Sequence, residues 1–316
     1  MQAAGEFFAE QELFELVSSA IPHYDDPTAT ALAAQIAEHP AVAAVIFYGS
    51  CLFRQTREPD SFYDFYTVVD SSRGYHSSLW HGALGSVLPP SIYFGQATVA
   101  SGRHPFKNCV ITLAQYRRQT STSADDLHHL GRFSKRFALA YVRDDLAKAA
   151  IAQGAVSAMK ALVPLSLNLL PERFDIEQFA KMQLSLSYLG ERRVAEPTKV
   201  DRLFDAASDY YLQAAKLLLR IAAETHPELS QQSDGYFRLA GQQPKRAERM
   251  LQRSRRRGVL RWPKYLLTVD NWLDIQLDKL ERNHGLTVEL TALQRRYPLI
   301  FGWPKFFELL RQGLIK

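Results

Sequence analysis

The sequence predicts an α+β chain in which a small mixed sheet with flanking helices comes first and a helical domain follows. Three observations predict it. Apolar runs rich in β-branched and aromatic residues gather between residues 40 and 115. From about residue 120 the apolar positions recur at three-to-four spacing to the end of the chain. Pro164, Pro171 and Pro197 punctuate that second half.

Taken in order, residues 5 to 38 predict two short helices, with apolar positions at Phe7, Phe8, Leu13, Leu16 and Val17 and a break at Pro22. Strands are expected over 43–49, 62–69, 91–100 and 107–113, separated by turn-rich or His- and Trp-bearing loops. Helices are expected over 146–163, 176–190, 199–224 and 244–254. Three regions follow: 1–120 with the sheet and the N-terminal helices, 121–240 helical, and 241–316 rich in basic and aromatic residues. No internal repeat or low-complexity tract interrupts them.

The chain has 316 residues, enough to bury a large core in about two domains. Cys51 and Cys109 give neither a disulfide framework nor metal-ligand spacing, so a reducing cytoplasm is expected. Glu6, Glu10, Glu12 and Glu15 near the start argue against a leader peptide. No window reaches eighteen apolar residues without a charge, so no membrane span is expected. The formal charge of +5 is modest, and its distribution says more than its size.

The chemistry is concentrated in one segment. The apolar run Val45-Ile-Phe-Tyr-Gly-Ser50 ends in Gly-Ser, and a second such run, Ser61 to Asp70, carries an acid at Asp64. That layout suits a polymerase-β-like nucleotidyltransferase fold. Gly49 lets backbone approach a triphosphate, and the Ser50 hydroxyl and nearby amides can donate to phosphate oxygens. A carboxylate on the neighbouring strand then holds a divalent metal bridging those oxygens. The plainer reading is a turn at a strand end and a solvated acid on an edge strand. In the usual strand of this kind two acids flank one residue and so share a face, but here the second position is Tyr66. Asp70 has the right parity, yet six residues of strand span roughly 20 Å. It joins Asp64 on one ion only if the strand ends early or bulges. Mg²⁺ is the expected cofactor, with the triphosphate completing its coordination.

Further motifs extend the pattern. Tyr48-Gly49-Ser50 is followed by Asp64-Phe65, Val69-Asp70, Tyr75-His76-Ser77, Gly102-Arg103, Lys107 with Val110-Ile111, and Gly131-Arg132 with Lys135. Leu186-Ser187-Tyr188-Leu189-Gly190-Glu191-Arg192-Arg193 and Lys199-Val200 close the series. In this order, across about residues 45 to 200, the chain resembles the mitochondrial-type phosphatidate cytidylyltransferases, the translocator assembly and maintenance family of CDP-diacylglycerol synthases. The family's paired acids stand here as Asp70-Ser71, and the resemblance is not carried beyond about residue 240. The resemblance implies transfer of a cytidylyl group from CTP to phosphatidate. It implies Ser50, Asp64, Lys107 and Arg132 as catalytic residues, and Tyr48, Gly49, Ser50, His76, Lys135, Arg193 and Lys199 as ligand-binding residues. Asp64 and Asp70 are the implied metal ligands. His128-His129 lacks metal-site spacing and is read as structural.

Residues 245 to 264 carry nine Lys or Arg residues against the single acid Glu248. Trp262, Tyr265 and Trp272 follow, and a second aromatic cluster runs from Tyr297 to Phe307. Basic residues interleaved with aromatics suit peripheral contact with an anionic membrane, with the cationic run Arg253 to Arg257 (Arg255, Arg256 and Arg257 the ones to neutralise in a test), Trp262 and the Phe301 to Phe307 cluster as its centre. The expected location is cytoplasmic, on the inner face of the membrane. No base-reading motif is present, so no nucleic-acid partner is expected. Two other readings stay open: nucleotidyl transfer to a different acceptor, and a non-catalytic nucleic-acid- or membrane-binding protein on a degenerate nucleotidyltransferase fold, motivated by the missing acid at position 66.

Overall fold

The structure is a computed structural model. It describes all residues except 1, 22–23, 53–61, 76–82, 84, 87–88, 191–196, 269–272, 274–276, 278–287, 298–300 and 312–316. The architecture is mixed α+β. Two compact units divide it, Met1–Lys264 and Tyr265–Lys316.

The first unit opens with α1 (Gln2–Ala20) and α2 (Pro27–Ala37). Asp26 caps α2 by accepting from Ala29 N at 2.8 Å, and Pro27 occupies a first-turn position where no N–H is needed. A five-stranded sheet then forms from β1 (Val42–Tyr48), β2 (Tyr63–Val69), β3 (Ser91–Val99), β4 (Gly102–Thr112) and β5 (Ala138–Val142), in the order β3-β4-β2-β1-β5. Only the β2–β4 pair is parallel. The short helix α3 (Ser72–Tyr75) follows β2.

The four expected strands are present. The last begins at Gly102, five residues earlier than expected. Pro105 pairs with Gln96 on β3, while β2 begins opposite Phe106. Pro105 thus lies where β4 has a neighbour on one side only, a position that tolerates its missing donor. The fifth strand corrects the expectation of a wholly helical second half. Ala138–Val142 pairs antiparallel with β1, and Leu139 N donates to Ile21 O at 2.9 Å.

Helices α4 (Leu113–Gln119), α5 (Leu127–Phe133), α6 (Asp145–Leu169), α7 (Ile176–Leu189), α8 (Pro197–Asp205), α9 (Ser208–Thr225) and α10 (Pro244–Thr268) complete this unit's course. The expected helix over 199–224 is two helices, parted at Ala206–Ala207. A second small sheet, from β6 (Arg173–Phe174), β7 (Leu229–Gln231) and β8 (Phe237–Leu239), was also unexpected.

Strand alternation splits the interior in two. Tyr48, Tyr66, Val68, Cys109 and Ile111 face one core with α1, α5, α6, α7 and α9, while Phe47, Tyr63, Phe65, Val69 and Val110 face a smaller core with α2. Asp64 shares the parity of Tyr66 and therefore belongs to the face covered by the helices. The sheet and the helices after residue 120 share the larger core, so the boundary expected at 120 is not a division between compact units. α6 is the helix that, among the described residues, has the length and composition to cross a membrane, and 72% of that stretch is buried against the rest of the protein.

In the second unit, Thr291 and Gln294 form a capping box on α11 (Ala292–Arg296), and α12 (Trp303–Arg311) follows. Tyr297, Phe301, Trp303 and Phe307 are all exposed.

Candidate functional site

The sheet's pairing builds the site. Tyr48 is the register partner of Asp64, Asp64 of Lys107, and Lys107 of Phe94. These four residues form one row across β1, β2, β4 and β3, with matching side-chain direction. Lys107 Nζ stands 4.0 Å from Asp64 Oδ1, and the two side chains are 25% and 31% exposed. The pair is thus accessible on a surface otherwise built of core.

At the end of β1 the chain turns through Gly49, whose φ is +91°. A β-carbon there would lie 2.9 Å from Asp64 Oδ2. Both facts require glycine: the left-handed conformation disfavours a side chain, and the carboxylate occupies the space one would need. Ser50 opens the 3₁₀ turn Ser50–Leu52, closed by Leu52 N donating to Gly49 O at 3.3 Å. The contacts of its hydroxyl lie outside the described set, as do His76 and Arg193 altogether.

α5 brings Arg132 over this row. Asp126 caps the helix by accepting from His128 N at 2.9 Å. The Arg132 guanidinium carbon lies 4.9 Å from the centre of the Tyr48 ring. The Tyr48 hydroxyl is 3.7 Å from Cys109 Sγ. Burial, with Cys109 and Asp64 nearby, pushes its pKa well above the ordinary tyrosine value despite Arg132. Tyr48 therefore stays neutral, a shelf on which the guanidinium rests by cation–π attraction.

The two later motif segments pack on each other. Gly131 on α5 meets α7 so closely that a β-carbon would stand 2.5 Å from Ser187 Cα, and one on Gly190 would stand 2.8 Å from Leu127 Cβ. Lys135 Nζ sits 4.0 Å from the centre of the Tyr188 ring. Lys199 is exposed on α8, and Lys181 joins that helix to α7 by bridging Glu177 and Asp201, each at 2.8 Å.

Two expectations are corrected. Asp70 does not join Asp64. β2 runs unbroken from Tyr63 to Val69, and Asp70 lies beyond its far end, bound bidentately by Arg143 at 2.6 and 3.2 Å. Both partners are largely exposed, so the pair contributes at most about 1 kcal/mol. Asp70→Asn should accordingly shift the thermal midpoint only slightly in a thermal melt; a large drop would show that the pair carries more than an exposed ion pair does. The slot of the second acid is filled by Tyr66, 1% exposed, with its ring 5.1 Å from Tyr48 and 4.9 Å from Phe133 and its hydroxyl 3.2 Å from His128 Nε2.

The basic C-terminal helix also differs from expectation. Ser254 Oγ accepts from Leu127 N and donates to Gly190 O, each at 3.0 Å, so α10 is pinned where α5 starts and α7 ends. Arg255 Nε donates to Leu189 O at 2.8 Å, and Arg257 approaches Asp125 and Asp126 at 3.5 and 3.6 Å. Arg255 and Arg257 are therefore anchors between helices. Arg249, Arg253 and Arg256 are exposed, as are Lys245 and Arg246 nearer the helix start, and those three are set at i, i+4 and i+7 along one side of the helix. The side chains of Trp262 and Tyr265 and all of Trp272 lie outside the described set.

The residues present fit a divalent cation of the hard, oxygen-seeking kind. Among the described residues no group of three His, Cys, Asp or Glu side chains converges. Asp64 supplies one accessible carboxylate beside Gly49, which has no side chain to cover it, and this matches the way Mg²⁺ is held by one or two carboxylates plus substrate phosphates. Comparisons with protein-family models and with curated proteins returned no match.

Proposed function

We propose that the chain is a nucleotidyltransferase that moves the cytidylyl group of CTP to phosphatidate, giving CDP-diacylglycerol and pyrophosphate. The observation that carries the reading is the Tyr48–Asp64–Lys107 row with Gly49 pressed against the carboxylate. The order of motifs shared with the phosphatidate cytidylyltransferases supports the choice of substrates.

A phosphate-monoester oxygen of the lipid attacks the α-phosphorus of CTP. The new P–O bond forms as the bond to the bridging oxygen of pyrophosphate breaks, and the leaving group takes that electron pair. The monoester is already anionic at neutral pH, so no strong base is required, and the work is positioning and charge neutralisation. Asp64 is the residue that would hold Mg²⁺, which when bound neutralises charge on the phosphate oxygens. Lys107 offers a second positive charge one strand away. Arg132, laid on the neutral Tyr48 ring, presents a planar fork suited to two phosphate oxygens. Gly49 keeps the approach to the carboxylate clear.

The buried Tyr66 in the second-acid slot favours a second reading, a binding protein on a scaffold that has lost catalysis. Incubation of the pure protein with labelled CTP, Mg²⁺ and phosphatidate micelles separates the two, with ATP and phosphatidylglycerol as controls. CTP-dependent labelling of phosphatidate alone supports transfer; no labelled lipid, with CTP still bound, supports the scaffold reading.

Phosphatidate resides in a bilayer, so docking on the anionic cytoplasmic face belongs to the proposal. The exposed Arg249, Arg253 and Arg256 are its docking residues. Changing all three to Gln should lower co-sedimentation with anionic vesicles and make the remaining binding less sensitive to salt. Arg255→Ala should instead lower the thermal midpoint, because the Leu189 carbonyl loses its partner. Vesicle binding untouched by the triple change would place docking elsewhere.

A further inference from the structure

The fourth member of the row was not anticipated from sequence. Phe94 on β3 is the register partner of Lys107 and half-buried. Phe62, just before β2, packs edge to face against it, with ring centres 5.7 Å apart and planes at 88°. The two rings make an aromatic wall at the β3 side of the Asp64–Lys107 pair. We propose that this wall is the nucleobase subsite: Phe94, set by Phe62, stacks the heterocyclic base of the nucleoside triphosphate. The proposal rests on the nucleotidyl-transfer reading and extends it to the base.

A nucleoside triphosphate is a linear ligand, with polyphosphate at one end, sugar between and an aromatic base at the other. The row has the same order. The glycine turn and Tyr48 with Arg132 stand at the β1 side, Asp64 and Lys107 in the middle, and the rings at the β3 side. Phe94 lies two strand spacings from Asp64, roughly 10 Å. That distance matches the span of an α-phosphate and a ribose between carboxylate and ring. The alternative occupant is a lipid chain, which also fits an apolar wall. Continuity with the phosphate-binding end favours the base, since both ends belong to one molecule.

The test compares binding of CTP with binding of inorganic tripolyphosphate, which has the charge and no base, both with Mg²⁺, by titration calorimetry. Wild type should bind both. Phe94→Leu keeps an apolar side chain on the strand and removes the ring. It should lose about tenfold or more in CTP affinity, within the range that base–aromatic stacking spans, while tripolyphosphate affinity and thermal midpoint hold. Phe94→Trp should restore CTP binding, and its added fluorescence should be quenched by CTP and not by tripolyphosphate. Unchanged CTP affinity in Phe94→Leu overturns the proposal, as does an equal loss for both ligands. A raised KM for phosphatidate with CTP affinity intact also overturns it and assigns the wall to lipid. If wild type binds neither ligand, the nucleotidyl-transfer reading itself falls; if wild type binds both and only the Phe94 result fails, that reading stands without the subsite.

Discussion

Asp64→Asn is expected, on the proposed nucleotidyl-transfer reading, to lower cytidylyl transfer by about three orders of magnitude, the rate equivalent of losing several kcal/mol of charge stabilisation at the phosphates. The same change should leave the thermal midpoint near that of wild type. Asn keeps the volume, and the side chain is 31% exposed, so no core contact is lost. Lys107 loses a partner at 4.0 Å in a partly exposed pair, a contribution of about 1 kcal/mol at most. Activity and stability thus separate cleanly. Radiolabel transfer and a thermal melt on the same preparation check it, and near-normal transfer in the mutant would remove Asp64 from the metal-binding role.

Gly131→Ala is expected to have the largest effect on stability. At an exposed helix position this change gains about 1 kcal/mol of helix propensity. Here the new methyl would stand 2.5 Å from Ser187 Cα, a backbone atom that cannot rotate away. α5 and α7 must separate, and overpacking of this kind costs about 1–3 kcal/mol. A net loss therefore shows that the helix contact outweighs propensity. α5 carries Arg132 and α7 carries Tyr188, the ring beneath Lys135, so on the proposed reading the KM for CTP should rise as well. Gly190→Ala meets Leu127 Cβ at 2.8 Å, an overlap that no rotamer change relieves but that is smaller than the one at Gly131, and should be milder. Equal or greater stability in Gly131→Ala would mean that the helices adjust without strain.

The parts of the fold that were legible in sequence are those whose local signal is strong. β1 is a seven-residue apolar run, β2 is a run of aromatic and β-branched residues around Asp64, and α6 and α7 have long periodic faces behind Asp caps. Ala138–Val142 was missed because two of its five residues are alanine and it follows a helix, so only its pairing with β1 identifies it as a strand. The break at Ala206–Ala207 has no glycine or proline to mark it. The small second sheet has strands of two or three residues, too short to show alternation.

At the site, Gly49 and Asp64 were readable because a glycine turn and a strand-borne acid are local features. Strand length argued against Asp70 while the resemblance kept it as a metal ligand; the unbroken β2 and the Arg143 partner are what part it from Asp64. Phe94 was hidden for a different reason. Its strand was recognised, but which β3 residue faces Lys107 depends on hairpin register, and the sequence carries that only through the turn at Ala100–Ser101. The roles of Arg255 and Arg257 were hidden likewise, since a run of arginines looks solvated until the carbonyl and the carboxylates it meets are placed.

The Ser254 hydroxyl bears on how this protein can be shortened. A boundary near residue 240 looks natural in the sequence, yet a chain stopped there would leave Leu127 N and Gly190 O without their shared partner in a buried place. Each such orphan costs about 1–3 kcal/mol, and both lie on the helix pair that carries Arg132 and Tyr188. Deletion from the C-terminus should therefore be graded in its consequences: mild down to Lys264, where the first compact unit ends, and severe once Ser254 is removed.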